Sequence, residues 1–246
     1  MTDGCNTIDH FPIEPLDAPI RRNGDIVFRP LMLEDFGKVL SAYHQQWGAY
    51  EGETPTYSLA AVTEIFEKAT FGFIAEVDGV YAGHIIGHAK RGEHLALPDN
   101  WISCAAWRRR LGEESAAALG IIEWIEACNE KLERDAAERG RRFEAFLDFL
   151  WVAPQARGMA LSKRLLAKAF EHFRQARHGR LALFTDSWCD VGFYLREPWV
   201  QEGVVDWPLF ILRGQPAKSF MFSMTIPSRP KSELALSSPR SVQAKE

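Results

Sequence analysis

The turn at residues 155–160 is the part of the sequence best suited to holding an anion. It follows an apolar, aromatic-rich segment at residues 146–152 that predicts a buried strand, and it precedes the apolar periodicity of a helix at residues 161–173. A helix start offers unpaired backbone N–H groups and the positive end of the helix dipole. Gly158 lets a bulky ligand approach the main chain, and Arg157 adds a positive charge. The pattern therefore predicts a site for a diphosphate group.

Two carboxylates near the same strand are candidates for a general base. Asp148 lies inside the apolar strand, where an unpaired charge is costly and burial would raise its pKa toward a useful range. Period-two alternation places it on the strand side of Leu150 and Val152. Glu144 is the second candidate, and either carboxylate could act through water. The alternative for Asp148 is a structural ion pair with an arginine of residues 92–143.

The residues around the turn resemble the acyl-coenzyme-A signature of the GNAT acetyltransferase superfamily. The family pattern, Gln/Arg-x-x-Gly-x-Gly/Ala after a strand ending in Val-x-Pro, is met at every defined position. The resemblance implies acetyl-CoA as the cosubstrate, and a strand that splays from its neighbour so that the amide-rich arm of the coenzyme pairs with main-chain groups. The coenzyme-binding residues that it implies are Leu150, Trp151, Val152, Gln155, Ala156, Arg157, Gly158, Met159, Ala160 and Ser187.

The same resemblance implies a catalytic acid at Tyr194. Many GNAT enzymes carry Asn-x6-Tyr-x3-Gly-Phe after the fifth strand, and here the frame gives Ser187, Tyr194, Pro198 and Trp199. Only the tyrosine is retained. Its phenol could hydrogen-bond the leaving thiolate and return a proton. The alternative is a tyrosine packed beside Phe193 with its hydroxyl bonded to backbone.

Histidine and cysteine patterns give no metal or nucleophile prediction. His84 and His88 share a side of a predicted strand without an obvious third ligand, so core or rim histidines are the favoured interpretation. Cys5, Cys104, Cys128 and Cys189 are far apart and show no metal spacing. No His/Asp pattern surrounds Cys189, which favours direct transfer over a covalent acyl-enzyme. The run Arg108 to Arg110 is interpreted as a solvated face.

The elements that would position these residues predict an α/β fold. Strands are predicted at residues 26–29, 71–77, 80–89, 146–152, 181–185, 204–212 and 219–226. Helices are predicted at residues 33–47, 59–68, about 112–139, after the turn, and at 187–195. Together with the resemblance, they indicate a mixed, mostly antiparallel sheet with helices on both faces, parallel only between the strands that flank the helix after the turn.

The predicted organisation is a single catalytic domain with extensions. Residues 1–24 form an N-terminal arm, residues 25–226 the acyl-CoA N-acyltransferase domain, and residues 227–246 a disordered tail. A helical insertion occupies residues 92–143, and its apolar stripe must be covered by the core or by a second copy in a homodimer. We expect this insertion to wall the acceptor side of the cleft.

Composition narrows the class of protein. The chain has 246 residues, of which 46% are hydrophobic and 25% charged, and a formal net charge of −4. Nothing in this balance suggests a nucleic-acid partner. No apolar run approaches the roughly 18 residues of a membrane span, and the N-terminus lacks the pattern of a signal peptide. We therefore expect a cytoplasmic protein with reduced cysteines and no membrane partner.

The predicted function is N-acetyl transfer from acetyl-CoA to a primary amine in a direct ternary complex. The acceptor is a small-molecule or peptide amine that the sequence does not identify. One alternative is a non-catalytic acyl-CoA-binding or interaction module that kept the turn. Another is a nucleotide-phosphate binder, which the lack of a Gly-x4-Gly-Lys-Ser/Thr loop disfavours.

Overall fold

The computed structural model describes residues 12–48, 55–196, 198–212 and 215–226. Residues 1–11 of the predicted arm and the predicted tail at residues 227–246 lie outside the described residues. In the described part of the arm, Ile13, Leu16 and Ile20 pack against the hydrophobic core. The backbone N–H of Glu14 donates to the Ser41 hydroxyl at 2.9 Å, which ties this segment to the body of the protein.

The described strands form a mixed seven-stranded sheet. They are β1 (Ile26–Pro30), β2 (Phe71–Val77), β3 (Val80–Ala89), β4 (Ala145–Val152), β5 (Arg180–Asp186), β6 (Val200–Leu212) and β7 (Gln215–Thr225). Their order across the sheet is β1-β2-β3-β4-β5-β7-β6. Among the described strands, β4 and β5 pair in parallel and the other neighbours are antiparallel. The predicted α/β fold with a mostly antiparallel sheet is thereby confirmed.

Local turn chemistry sets the register of the first hairpin. Asp78 and Gly79 join β2 to β3, and both have positive φ, 50° and 77°. Two consecutive positive φ values are the requirement of a type I′ turn, whose twist matches that of the flanking strands. The Asp-Gly pair in the sequence predicted this hairpin, and the structure confirms it.

Helices flank the sheet. In the described residues they are α1 (Phe36–Trp47), α2 (Pro55–Lys68), α3 (Cys104–Glu114), α4 (Ala116–Glu138), α5 (Leu161–Gln175) and the single-turn α6 (Val191–Tyr194). Helix α5 packs on β2, β3 and β4, while α3 packs on α2 and α4 packs on β6 and β7. None of the described helices has both the length and the apolar character needed to cross a bilayer.

The insertion contains the long helix predicted near residues 112–139, observed as α4, and a second helix before it, α3, which was not predicted. Ser115 separates α3 from α4 with an extended backbone, φ −157° and ψ 100°. Its hydroxyl accepts the N–H of Ala118 at 3.2 Å, which is a helix N-cap. A serine that satisfies a free N–H in this way starts a new helix and interrupts an otherwise continuous apolar pattern.

The helix predicted at residues 187–195 is also shorter than expected, because it comprises only α6. The carboxylate of Asp186 accepts the N–H of Trp188 at 2.8 Å, and the Ser187 hydroxyl accepts the N–H of Lys218 at 2.8 Å. These side-chain bonds hold residues 186–188 in a turn attached to β7, and the helix begins only at Val191.

Candidate active site

The sheet opens between β4 and β5. These strands pair only over Ala145–Leu147 and Leu181–Leu183, although β4 continues to Val152 and β5 to Asp186. Among the described strands, none pairs with the facing edge of β4 beyond Leu147. Free N–H and C=O groups along such an edge can pair with an extended ligand that carries amides. The splay that the family resemblance implied is present.

The turn after β4 is shaped for close approach. Gly158 has φ 87°, and a Cβ atom placed there would meet no heavy atom within 4 Å, so the space beside it is open. Ala160 has φ 56° and is the N-cap residue of α5. Within the described residues, the N–H groups of Gly158 and Ala160 have no main-chain acceptor. Together with the first-turn N–H groups of α5, they are donors of the kind that hold phosphate groups at helix N-termini.

A cleft of about 380 Å³ connects the free edge of β4 with this turn. We refer to it as the strand cleft. Its lining residues are Gln46, Trp47, Phe149, Leu150, Trp151, Val152, Arg157, Ser162, Trp188, Cys189, Asp190, Phe193 and Tyr194. The structure thus brings together Tyr194 and four of the residues predicted to bind the coenzyme.

Tyr194 lies in α6 at the wall of the strand cleft. Its ring stacks on Phe222 with centroids 5.7 Å apart and meets Trp199 edge-on at 5.3 Å. Burial raises the pKa of Tyr194 well above its ordinary value, and the neighbouring Cys189 and Asp190 raise it further. The phenol therefore keeps its proton at neutral pH, as a proton donor must.

Other predicted site residues have different positions. The amide of Gln155 donates to the carbonyl of Leu16 at 3.0 Å, so its side chain holds the N-terminal arm. Ser187 bonds the main chain of β7, outside the strand cleft. Ala156 is fully buried beneath the turn, and Met159 packs against the core. Glu144 is exposed and lies 3.7 Å from His178, so the structure does not bring it to the cleft.

A second opening, which we name the aromatic cavity, has a volume of about 260 Å³. Its lining residues are Tyr43, Trp47, Tyr57, Ala61, Glu64, Ile65, Lys68, Ile121, Ile122, Ile125, Glu126, Asn129, Asp148, Asp186, Trp188 and Trp207. Trp47 and Trp188 line the strand cleft as well, so the two openings meet at this pair. Helix α4 of the insertion supplies one wall of the cavity.

Asp148 reaches the aromatic cavity because of a β-bulge. In the register of β3 and β4, Ile86 pairs with Phe149 and Gly87 with Leu147, which leaves Asp148 as an extra residue. A bulge redirects side chains and breaks the period-two alternation. Leu150 and Val152 line the strand cleft whereas Asp148 lines the cavity, so the structure does not bring the three residues to one opening.

The partner of Asp148 is a histidine rather than an arginine of the insertion. Nδ1 of His88 lies 2.8 and 3.0 Å from the two carboxylate oxygens. Burial raises the pKa of Asp148, and the hydrogen bond and charge of His88 oppose that rise. A partly buried carboxylate whose pKa is raised, beside a histidine, has the properties of a proton acceptor.

Asp186, a second partly buried carboxylate in the cavity, was missed by sequence reasoning. It ends β5 and accepts hydrogen bonds from the indole N–H of Trp47 at 3.1 Å and the backbone N–H of Trp188 at 2.8 Å. Burial raises the pKa of Asp186, and these bonds oppose the rise. Among the described residues, no Lys, Arg or His lies within ion-pair distance of it. The signal available in the sequence was an acidic residue at the end of an apolar strand.

The remaining charges of the cavity form an ion network. Arg108 donates to Glu64 at 2.9 Å and to Glu126 at 2.8 Å, and Lys68 also contacts Glu64. The interpretation of Arg108 as part of a solvated face is wrong, because the side chain is only 25% exposed and bridges α2 to α4. This network attaches the insertion to the body of the protein beside the cavity.

The other titratable groups do not add a nucleophile or metal centre. His84 is fully buried in contact with Tyr81, and burial lowers its pKa to about 3, so it is a neutral core histidine as predicted. Burial and the charge of Asp186 raise the pKa of Cys189 to about 12. In the described part of the chain, no group of three or more His, Cys, Asp or Glu side chains is arranged to hold a metal ion.

Solved structures with a similar fold include a polyamine N-acetyltransferase and two arylalkylamine N-acetyltransferases. A polyamine N-acetyltransferase from Drosophila melanogaster is 13% identical, with 82% of this chain and 100% of that chain covered and a TM-score of 0.56. The mosquito arylalkylamine N-acetyltransferase like 5b is 16% identical, with the same coverage and a TM-score of 0.54. Arylalkylamine N-acetyltransferase 2 from Aedes aegypti is 13% identical over the same shares, with a TM-score of 0.53. At these identities the likeness shows the fold alone.

Sequence comparison identifies the family of this chain. The search of curated proteins gave no match. The profile of the Acetyltransferase (GNAT) family matches residues 39–196, a range that contains β4, the turn after it and Tyr194. Since that match spans more than half of the sequence, the chain belongs to the GNAT acetyltransferase family.

Proposed function

We propose that the protein transfers an acetyl group from acetyl-CoA to a primary amine by direct attack within a ternary complex. The observation that carries the proposal is the meeting of the strand cleft and the aromatic cavity at Trp47 and Trp188. One opening offers free main-chain groups and a helix N-terminus, and the other offers aromatic walls and carboxylates. Ligands bound in the two openings would therefore be neighbours at Trp47 and Trp188.

The strand cleft suits acetyl-CoA on the donor side. The free edge of β4 can pair with the amides of the coenzyme arm, like an added strand. The N–H donors around Gly158 and Ala160 can hold the diphosphate, and Arg157 at the cleft wall can add a charge-assisted bond. The proposed coenzyme contacts therefore come from Leu150 to Val152 and from the turn, without Ser187.

The aromatic cavity suits an amine on the acceptor side. An ammonium group is attracted by carboxylates and by the faces of aromatic rings. It must lose a proton before its nitrogen can attack the thioester carbonyl, and Asp148 is the proposed acceptor of that proton. The amine acceptors named for the structural neighbours, polyamines and arylalkylamines, are consistent with this class of substrate.

Tyr194 is the proposed acid for the leaving group. As the new carbon–nitrogen bond forms, the carbon–sulfur bond breaks and leaves a thiolate, which takes the phenol proton. Cys189, near Tyr194 at the same wall, is held protonated by its pKa of about 12 and is a poor nucleophile. This favours direct transfer over a covalent acyl-cysteine.

A cytoplasmic location belongs to the same proposal. Acetyl-CoA is the proposed cosubstrate, and Cys104, Cys128 and Cys189 are free thiols. Free cysteines are typical of reducing compartments.

The test measures binding and turnover separately. Calorimetric titration with acetyl-CoA and with ATP should show binding of acetyl-CoA only. Release of free coenzyme thiol should then depend on both acetyl-CoA and an added primary amine. Acetyl-CoA binding without thiol release for any amine would instead identify the non-catalytic acyl-CoA-binding module, and ATP binding at equal affinity would contradict the donor assignment.

A further inference from the structure

The carboxylates of the aromatic cavity differ in their partners, and this difference determines where the positive charge of an amine acceptor can bind. The carboxylates of Glu64 and Glu126 lie on the helical side and are already bonded by Arg108, with Lys68 as a further partner of Glu64. Asp148 and Asp186 lie on the sheet, just beyond the point where β4 and β5 part. Among the described residues Asp186 has no ion-pair partner and Asp148 has only His88, so this sheet pair keeps lone pairs for a ligand cation.

The helical side of the cavity also carries an apolar surface. Helix α4 contributes Ile121, Ile122 and Ile125, and α1 and α2 contribute the rings of Tyr43 and Tyr57. A second ammonium group extended toward this surface would lose its hydration without gaining a free carboxylate, because those on that side are taken by Arg108 and Lys68. An apolar group placed there would be stabilised by burial.

The size of the cavity fits a ring with a short chain. An apolar cavity of about 150 Å³ in another protein binds benzene. The aromatic cavity, at about 260 Å³, has room for a six-membered ring and a few further atoms that reach the sheet. Its carboxylates would repel an acceptor that carries its own carboxylate, and Lys68, the cation among the lining residues, is already in contact with Glu64.

We propose that the aromatic cavity selects a primary amine with one positive charge on an apolar, preferably planar body and without a carboxylate. This selectivity rests on the proposed function and names the acceptor class of the same site. Asp186 and Asp148 receive the ammonium end, and the isoleucines of α4 receive the body.

Matched pairs of amines test the selectivity on the unaltered protein. 2-Phenylethylamine and phenylalanine differ by a carboxylate, and hexylamine and 1,6-diaminohexane differ by a second amine. With acetyl-CoA present, we expect kcat/KM for 2-phenylethylamine to exceed that for phenylalanine at least about 100-fold. We expect kcat/KM for hexylamine to exceed that for 1,6-diaminohexane roughly tenfold or more. Equal use within either pair would overturn the proposal while the acetyltransferase function stood.

Binding gives a readout that does not depend on catalysis. Trp47, Trp188 and Trp207 line the cavity, so their fluorescence should respond to an occupied site. If 2-phenylethylamine binds more tightly than phenylalanine but no amine releases thiol, the selectivity holds and the proposed function fails. If thiol is released but phenylalanine binds as tightly, the function holds and the selectivity fails.

A substitution on the apolar surface of α4 should change the preference between monoamines and diamines. Ile125 is partly buried on α4, so Ile125→Glu places an unpaired carboxylate on the side that lacks one. The ratio of kcat/KM for 1,6-diaminohexane over hexylamine should rise at least about tenfold, because the second ammonium gains a partner. The matched control Ile125→Gln has nearly the same shape without the charge and should leave the ratio within about threefold of the original. An unchanged ratio in a folded Ile125→Glu variant would contradict the assignment of the body to this surface.

Discussion

The Asp148 carboxylate lies 2.8 Å from Nδ1 of His88, and a β-bulge in β4 brings the two side chains together. Both are largely buried, with side chains 18% and 22% exposed. The bulge turns Asp148 into the aromatic cavity, and His88 contacts it from the neighbouring strand. A carboxylate held in this way has a fixed orientation and an elevated pKa, which are the properties of a general base.

Removal of the Asp148 charge should slow catalysis without loss of coenzyme binding. Asp148→Asn keeps the shape of the side chain but cannot accept a proton from the amine. We expect turnover to fall about 100-fold or more, with the dissociation constant of acetyl-CoA nearly unchanged. Steady-state thiol release and calorimetry measure the two quantities. Unaltered turnover would move the base role to Asp186 or to a water molecule.

The pH profile should reveal the contribution of His88. The base must be deprotonated, so activity rises as pH passes the pKa of Asp148, which burial has raised above its ordinary value of 3.8. The charged groups that act on it are His88 and Lys68, which lower the pKa, and Glu64, which raises it. His88→Ala removes a lowering contribution, so the acidic limb of kcat/KM should move to higher pH. The exposed His94 gives the control, since His94→Ala should leave the limb in place. A shift to lower pH would contradict this role.

The turn after β4 should be sensitive to a negative charge. Gly158→Asp puts a carboxylate beside the proposed diphosphate position, and we expect acetyl-CoA affinity to fall at least tenfold, about 1.4 kcal/mol or more. Any L-residue at φ 87° is also strained, so a control must carry the same strain. Gly140 has φ 77° and open space around it at the end of α4, and Gly140→Asp should be destabilised similarly but bind acetyl-CoA normally. Equal affinity for the two variants would exclude the turn from coenzyme binding.

The hydroxyl of Tyr194 should matter for turnover and not for binding. Tyr194→Phe keeps the ring contacts with Trp199 and Phe222 and removes only the proton donor. We expect the turnover rate to fall roughly 100-fold or more while acetyl-CoA affinity remains nearly intact. Burst and steady-state measurements of thiol release would show whether the chemical step is the one slowed. An unchanged rate would assign the proton to water.

The sequence was informative wherever structure depends on neighbours along the chain. Strand alternation and the Asp78-Gly79 pair gave β2 and β3 with their observed bounds, Phe71–Val77 and Val80–Ala89. The signature from Val152 to Ala160 located the turn and the start of α5. These features depend on backbone conformations that particular residues prefer, so a single sequence contains them.

Features that depend on distant partners were not predictable in this way. The bulge at Asp148 follows from the pairing of β3 with β4, across an insertion that separates them in sequence. The role of Asp186 depends on the indole of Trp47, which is 139 residues away. Arg108 also joins two acids that no local pattern connects to it. Such contacts are set by tertiary packing, which is why the sequence identified the turn more completely than the acceptor side.

The burial of the insertion gives a last prediction. The apolar stripe of α3 and α4 is covered by the protein's own core, since Trp107 and Leu111 of α3 are 2% and 0% exposed and Leu132 of α4 is 2% exposed. Deletion of residues 92–143 would therefore expose the core, and point substitutions are the sharper test. Trp107→Ala should lower the free energy of unfolding by about 3–5 kcal/mol, because it leaves a large cavity. Trp124 is 42% exposed on α4, so Trp124→Ala should change the free energy of unfolding by less than about 0.5 kcal/mol. Urea unfolding measures both. If Trp124→Ala instead lost stability in a way that depended on protein concentration, this face of the insertion would be part of the predicted homodimer interface, and the core alone would not account for its stability.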